Sequence, residues 1–224
     1  VESRLIAYHE HNETERVPAL LADLAHGKSV ALVSDAGTPL ISDPGWRLVN
    51  AAQAAGIAVV PIPGPCAAVA ALSAAGLPTD HFVFEGFLPR GDNARAERLK
   101  ELKHEQRTIV FYEAVHRIAT TLSAISDAFG GERRAALARE LTKTHEQIAT
   151  GTLAELVARL DASIPLLGEF VIVVAGAAAI ASDEAEAQRV YALLAAELPP
   201  DKALKLASAV TGVSRNALYK LTRT

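Results

Sequence analysis

Short apolar runs recur along the chain at 5–7, 30–33, 58–61, 82–84, 108–112, 135–138 and 170–175. Stretches with helical spacing lie between them, at 14–25, 46–55, 67–75, 94–102, 117–129 and 153–160. This alternation predicts an α/β architecture. Local chemistry marks several ends. Gly27, Gly56 and Gly130-Gly131 stand where helical patterns stop, at the place a left-handed residue closes a helix. Thr152 precedes Leu153, with Glu155 three residues on, and predicts an N-cap with an acidic first turn. A seam at Gly76-Leu77-Pro78-Thr79-Asp80 predicts a first α/β domain over 1–77 and a second over 78–180. The remainder, 181–224, differs in kind. A helix over 183–197 stops at Pro199-Pro200, and helices over 201–210 and 214–221 then flank Thr211-Gly212-Val213 with helix-turn-helix spacing.

Bulk properties narrow the classes. The chain has 224 residues, half of them hydrophobic, which is enough for a real core and too apolar for a disordered chain. Net charge is −4, so any polyanion must be held by a local basic patch. One patch is visible: Lys202, Lys205, Arg215, Lys220 and Arg223 face only Asp201 over the last 26 residues. Cys66 is the single cysteine, which excludes an internal disulfide framework and fits a reducing cytoplasm. No apolar run is long enough to span a bilayer.

Ser34-Asp35-Ala36-Gly37-Thr38-Pro39-Leu40-Ile41-Ser42-Asp43-Pro44-Gly45 follows one apolar run and precedes a helical stretch. Pro61-Ile62-Pro63-Gly64-Pro65-Cys66-Ala67 repeats that arrangement. Loops at strand ends are where open α/β sheets collect ligands. Charged groups also cluster at later run ends, in Phe111-Tyr112-Glu113-Ala114-Val115-His116-Arg117, in Ala138-Arg139-Glu140-Leu141-Thr142-Lys143-Thr144-His145-Glu146 and in Leu167-Gly168-Glu169. No dinucleotide or P-loop glycine motif occurs. His9-Glu10-His11 lacks a distant third ligand, so no metal is assigned.

These segments, with Tyr8-His9-Glu10-His11-Asn12-Glu13, Ile62-Pro63-Gly64-Pro65 and the basic tail, are similar to the ribosomal RNA small subunit methyltransferase I family. That family lies in the tetrapyrrole methylase superfamily. The resemblance runs from about Leu5 to Ala175 and implies two α/β domains, S-adenosylmethionine in the cleft between them, and a homodimer. It implies methyl transfer to the ribose 2′-oxygen of a cytidine in the decoding region of 16S rRNA, on the small ribosomal subunit and in the cytoplasm. Carried over motif by motif, it places Ala36, Gly37, Thr38, Ile41, Ser42, Cys66, Ala67, Glu113, Glu140, Leu141, Gly168 and Glu169 at the cofactor. Cys66 stands where the family usually has Ser, and Ala114-Val115 where it has Ser-Pro. The family's first strand and Gly-Asn-Leu loop are absent from this sequence, which opens at Val1 and contains no methionine, so an incomplete cofactor wall is expected.

A sulfonium already activates the methyl group, so the protein's task is to align the acceptor oxygen and help remove its proton. Asp35, Glu113 and His116 are the candidates for that proton, with Glu140 behind them. Arg90, Arg95, Arg98, Arg117 and Lys143, with His116 and the basic tail, are the expected RNA face. Competing readings are another methylase of the superfamily, acting on a tetrapyrrole carbon or in diphthine synthesis, and a non-enzymatic nucleic-acid-binding regulator. The tail favours RNA.

Overall fold

The computed structural model describes residues 4–178 and 184–222. They fall into two compact units that divide after Ala177. The expected boundary at 77/78 therefore lies inside the first unit.

Five strands form one sheet in that unit: β1 (Phe82–Phe87), β2 (Thr108–Ala114), β3 (Arg134–Arg139), β4 (Gln147–Thr152) and β5 (Glu169–Val174). Their order is β1-β2-β5-β3-β4, with β1 and β2 parallel and every other pair antiparallel. Side chains alternate between the two faces, as the pleat requires. Ile109, Phe111, Leu137, Phe170, Ile172 and Val174 enter a core with helices α4 (Asp92–Leu102), α5 (Ile118–Phe129) and α6 (Leu153–Arg159). Val110, Ala136, Ala138, Val171 and Val173 turn the other way, onto α3 (Ala67–Ala74). From α3, Ala68, Ala71 and Leu72 join this cluster, and the helix lies against β5 and β2, the strands whose ends border the loop before it.

Helices α1 (Glu13–Ala25) and α2 (Trp46–Ala54) pack on each other in the same unit. Both close as expected at glycines with positive φ, Gly27 at 79° and Gly56 at 71°. The Ile57 N–H returns to the Ala52 carbonyl and the Gly56 N–H to that of Gln53, which completes a Schellman motif. Thr152 caps α6 within a full capping box: its side chain accepts the Glu155 N–H, and Glu155 accepts the Thr152 N–H.

The runs at 5–7, 30–33 and 58–61 do not form strands. Their backbone is paired in no ladder among the described residues, and Val33 and Val60 are 77% and 73% exposed. A strand is a pairing relation, and apolar composition cannot report whether a partner lies alongside. Conversely, β4 carries one buried position in six, so its pattern is too weak to announce it.

In the second unit α7 (Glu184–Ala195), α8 (Pro200–Thr211) and α9 (Arg215–Leu221) enclose Ala187, Leu204, Ala207, Val213 and Leu218. Gly212, at φ 74°, closes α8, and Ser214 caps α9. This is the helix, turn and helix that the spacing predicts. Asp183 and Arg223 lie outside the described residues.

Candidate functional site

The 34–45 loop is held by its own polar groups. The Ser34 hydroxyl donates to the carbonyls of Ala36 and Gly37 at 3.1 and 3.2 Å. Gly37, Leu40, Ser42 and Gly45 all have positive φ, a density of left-handed residues that folds the loop tightly. The Thr38 hydroxyl donates to the Pro65 carbonyl at 2.8 Å and so ties this loop to the second one. Gly86, on β1, has φ 70°, and a Cβ there would sit 3.1 Å from the Ser42 hydroxyl. Glycine suits both this positive φ and the close approach of the loop to the sheet.

The two loops and the ends of β2 and β5 enclose a cleft of about 580 Å³. Nine of the twelve expected cofactor residues line it: Ala36, Gly37, Thr38, Ile41, Ser42, Cys66, Ala67, Glu113 and Glu169. Glu140, Leu141 and Gly168 do not. Leu141 packs on the core beneath α3. Glu140 acts from behind: its Oε1 accepts the Glu169 N–H at 3.0 Å and its N–H reaches the Glu169 carbonyl. Gly168 gives it room, since a Cβ there would overlap the Glu140 carboxyl group at 2.3 Å.

Five residues not named as cofactor or proton-transfer candidates also line the cleft: Tyr8, His9, Asp43 and Tyr112, which stand in the quoted segments, and Phe87, which does not. Tyr112 had a signal. It lies two residues beyond Val110, so the strand period places it on the α3 face. Its hydroxyl accepts the Ala68 N–H at 3.0 Å, and its ring meets Phe84 and Phe87 edge-on. Burial, above all, pushes its hydroxyl pKa up.

The three proton-acceptor candidates separate. Asp35 is exposed, lines the cleft and makes no hydrogen bond or ion pair among the described residues. Glu113 also borders the cleft, but both of its carboxylate oxygens are engaged. Oε1 accepts the Ala114 N–H at 2.8 Å, Oε2 accepts the Thr121 hydroxyl at 2.6 Å, and Arg117 lies 3.4 Å from Oε2. These bonds tie β2 to α5. His116 is exposed and does not line the cleft.

Most cations expected on an RNA face of the first unit are committed internally. Arg98 forks onto Glu85 and reaches Glu101. Arg95 is buried and pairs with Asp92, and Arg117 bonds the carbonyls of Leu88 and Pro89. Lys143 bridges Glu140 and Glu169. A lysine or arginine bound in this way brings little net positive charge to a phosphate. Arg90 is exposed and unpaired, as are Lys202, Lys205, Arg215 and Lys220 of the second unit, among the described residues.

Comparison with known proteins follows this division. Residues 3–157 match the family model of Tetrapyrrole (Corrin/Porphyrin) Methylases, and residues 177–222 match that of the RsmI C-terminal HTH domain. Among curated proteins, Ribosomal RNA small subunit methyltransferase I of Pseudomonas aeruginosa is 54% identical over 98% of this chain and 79% of its own length. The protein of that name in Escherichia coli O157:H7 is 50% identical over 98% and 78%. Among solved structures, the methyltransferase CobJ superposes with a TM-score of 0.55 at 24% identity, covering 74% of this chain and 72% of its own. Diphthine synthase does so at 0.53 and 16%, over 74% and 67%, a likeness of fold. The chain thus belongs to the tetrapyrrole methylase family and, at this level of identity, to its Ribosomal RNA small subunit methyltransferase I branch.

Proposed function

We propose that this protein methylates the ribose 2′-oxygen of a cytidine in the decoding region of 16S rRNA, with S-adenosylmethionine as methyl donor. The observation that carries the reading is the cleft closed by the Thr38–Pro65 hydrogen bond, in a chain half-identical to proteins named for small-subunit rRNA methylation. Its volume, about 580 Å³, lies within the usual range for a small-molecule pocket. The donor set suits a cationic ligand with an aromatic ring, because carboxylates of Asp35, Asp43 and Glu169 and the rings of Tyr112 and Phe87 all border it.

When bound, the cofactor supplies a methyl group already activated by its sulfonium. The chain's own residues then have four tasks. The two loops, locked together by Thr38, hold the cleft in one shape, so that acceptor and donor meet in line. Asp35, whose carboxylate is unpaired and opens on the cleft, accepts the proton of the attacking hydroxyl. Glu113 fixes the β2–α5 corner against which the substrate is placed. The exposed cations of the helical unit supply phosphate contacts. The same reading makes the working enzyme a homodimer of the cytoplasm, bound to small ribosomal subunits.

Incubation with labelled S-adenosylmethionine and either undermodified 30S subunits or uroporphyrinogen tests this. Label should enter ribose in the 16S rRNA. Label in the tetrapyrrole, or in a base, would overturn it.

A further inference from the structure

Helix α2 begins on Gly45, which has no side chain to cap it and sits at φ 139°. A Cβ at this position would lie 2.7 Å from Leu32 and 2.9 Å from Leu40, so glycine is required where the 34–45 loop returns against the 30–33 segment. The missing cap comes from elsewhere. Glu13, in the first turn of α1, is 4% exposed, and its Oε1 accepts the Gly45 N–H at 2.7 Å across 32 residues of sequence. The same oxygen accepts the Tyr8 hydroxyl at 3.1 Å, and Tyr8 itself lines the cleft. Arg47, on the first turn of α2, lies 3.5 Å from Oε2. A buried carboxylate with three partners on two other segments is costly unless all three stay in place.

We infer that Glu13 is a positioning residue of the cofactor cleft, one that clamps the far end of the 34–45 loop to α1 and to Tyr8. The inference rests on the proposed reading of the cleft as the S-adenosylmethionine site. Ser34 and Thr38 hold the near part of the loop. Between Thr38 and Gly45 the described residues add only the 3.3 Å bond from the Ile41 N–H to the Thr38 carbonyl. The stretch bearing Ile41, Ser42 and Asp43 thus depends on Glu13 for its second fixed point.

Trp46 follows Gly45, is the only tryptophan in the sequence, and carries the Arg47 guanidinium 5.1 Å from its ring. Its emission reports the state of this junction without any turnover. The test compares wild type, Glu13→Ala, Glu13→Gln and Tyr8→Phe by Trp46 fluorescence, by calorimetric binding of S-adenosylhomocysteine and by steady-state kinetics. Loss of a charged hydrogen bond predicts for Glu13→Ala a rise of about tenfold or more in Kd and KM, kcat changed less than about threefold, and a shifted Trp46 emission. Glu13→Gln keeps an acceptor for Gly45 and should recover most of the affinity. Wild-type Kd together with unshifted emission in Glu13→Ala would overturn the clamp. So would equal loss of KM and kcat in both Glu13 variants. If Glu13→Ala does not fold, Glu13→Gln and Tyr8→Phe decide by the same readouts, each expected to raise Kd by a few fold. Failure of the wild type to bind S-adenosylhomocysteine would sink the cofactor reading instead, and Trp46 emission would still judge the clamp.

Discussion

The Tyr112 hydroxyl accepts the Ala68 N–H at 3.0 Å, joining the cleft end of β2 to the first turn of α3. That N–H is one of the four a helix start leaves without an internal partner. The residue before α3 is Cys66, whose side chain makes no capping bond, so Tyr112 supplies what the local sequence lacks. Tyr112→Phe keeps the ring against Phe84 and Phe87 and removes only the oxygen. It should cost about 1–2 kcal/mol in denaturant unfolding and weaken ligand binding at the second loop. An unchanged midpoint would show that water replaces the hydroxyl.

Asp35 and Glu113 are both acidic and both at the cleft, yet their substitutions should fail differently. Asp35→Asn leaves folding near wild type, weakens affinity for the cationic cofactor by a few fold at most, and lowers kcat by about a hundredfold or more, the usual contribution of a general base. Glu113→Ala strips two hydrogen-bond donors and Arg117 of a buried acceptor, and should cost about 2–4 kcal/mol of stability. Thermal melts alongside single-turnover methylation separate the two. Wild-type turnover in Asp35→Asn would end its role as the base.

Gly168→Ala should behave as a cleft mutation although Gly168 does not line the cleft. At φ 84° an alanine costs about 1–2 kcal/mol by itself. Its Cβ would also expel the Glu140 carboxyl group from the Glu169 N–H. Glu169 then loses its fixed position on the cleft wall. Both Tm and affinity for S-adenosylhomocysteine should fall; a fall in Tm alone would mean Glu169 is held by other means.

The same cluster sets a pH response. Lys143 lies 2.9 Å from Glu140 and 2.8 Å from Glu169. Its hydrogen bond, and then the Glu169 backbone, hold the Glu140 carboxyl below the usual range. Glu169, then Glu140, raise the Lys143 ammonium. For Glu140, whose folded value is depressed, the stabilisation is complete above the ordinary carboxylate pKa and fades as pH falls through the lowered one. For Lys143, whose folded value is raised, it is complete below the ordinary lysine pKa and fades as pH rises through the elevated one. This cluster should therefore contribute no slope to stability between about pH 6 and 9. NMR titration of the Glu140 carboxyl carbon should give a midpoint below that of a free glutamate, and an ordinary midpoint would contradict the bridge.

How much of this was legible in the sequence depends on whether the signal was local. Helix ends were, because Gly27, Gly56 and the Thr152/Glu155 pair act within a few residues of themselves. The 34–45 loop was, because its Gly, Ser and Thr carry their own turn chemistry. The runs at 30–33 and 58–61 misled because a ladder needs a neighbour that composition does not name. The state of Glu113 was hidden for a related reason: its position in a charged motif is the same whether its oxygens are open or already bound to Ala114 and Thr121. The Tyr8–Glu13 segment was noticed but its role stayed unread, because Glu13 finds its partner Gly45 more than thirty residues away and Tyr8 enters only through Glu13.

That lesson decides where RNA affinity should reside. Counting cations assigned Arg95, Arg98, Arg117 and Lys143 to the RNA face, but each is spent on a carboxylate or carbonyl of the first unit. A cation neutralised before RNA arrives releases few counterions when it binds. Lys202, Lys205, Arg215 and Lys220 are exposed and unpaired among the described residues, so they should carry the salt dependence. Replacing all four with alanine should flatten the slope of log K against log salt by about 3, at roughly 0.7 per phosphate contact on single-stranded RNA. Arg98→Ala should leave that slope unchanged and lower stability instead, since it unpairs the half-buried Glu85. Filter binding of 16S rRNA fragments from low to moderate salt measures both. A slope that falls with Arg98→Ala and holds in the fourfold variant would return the RNA face to the first unit.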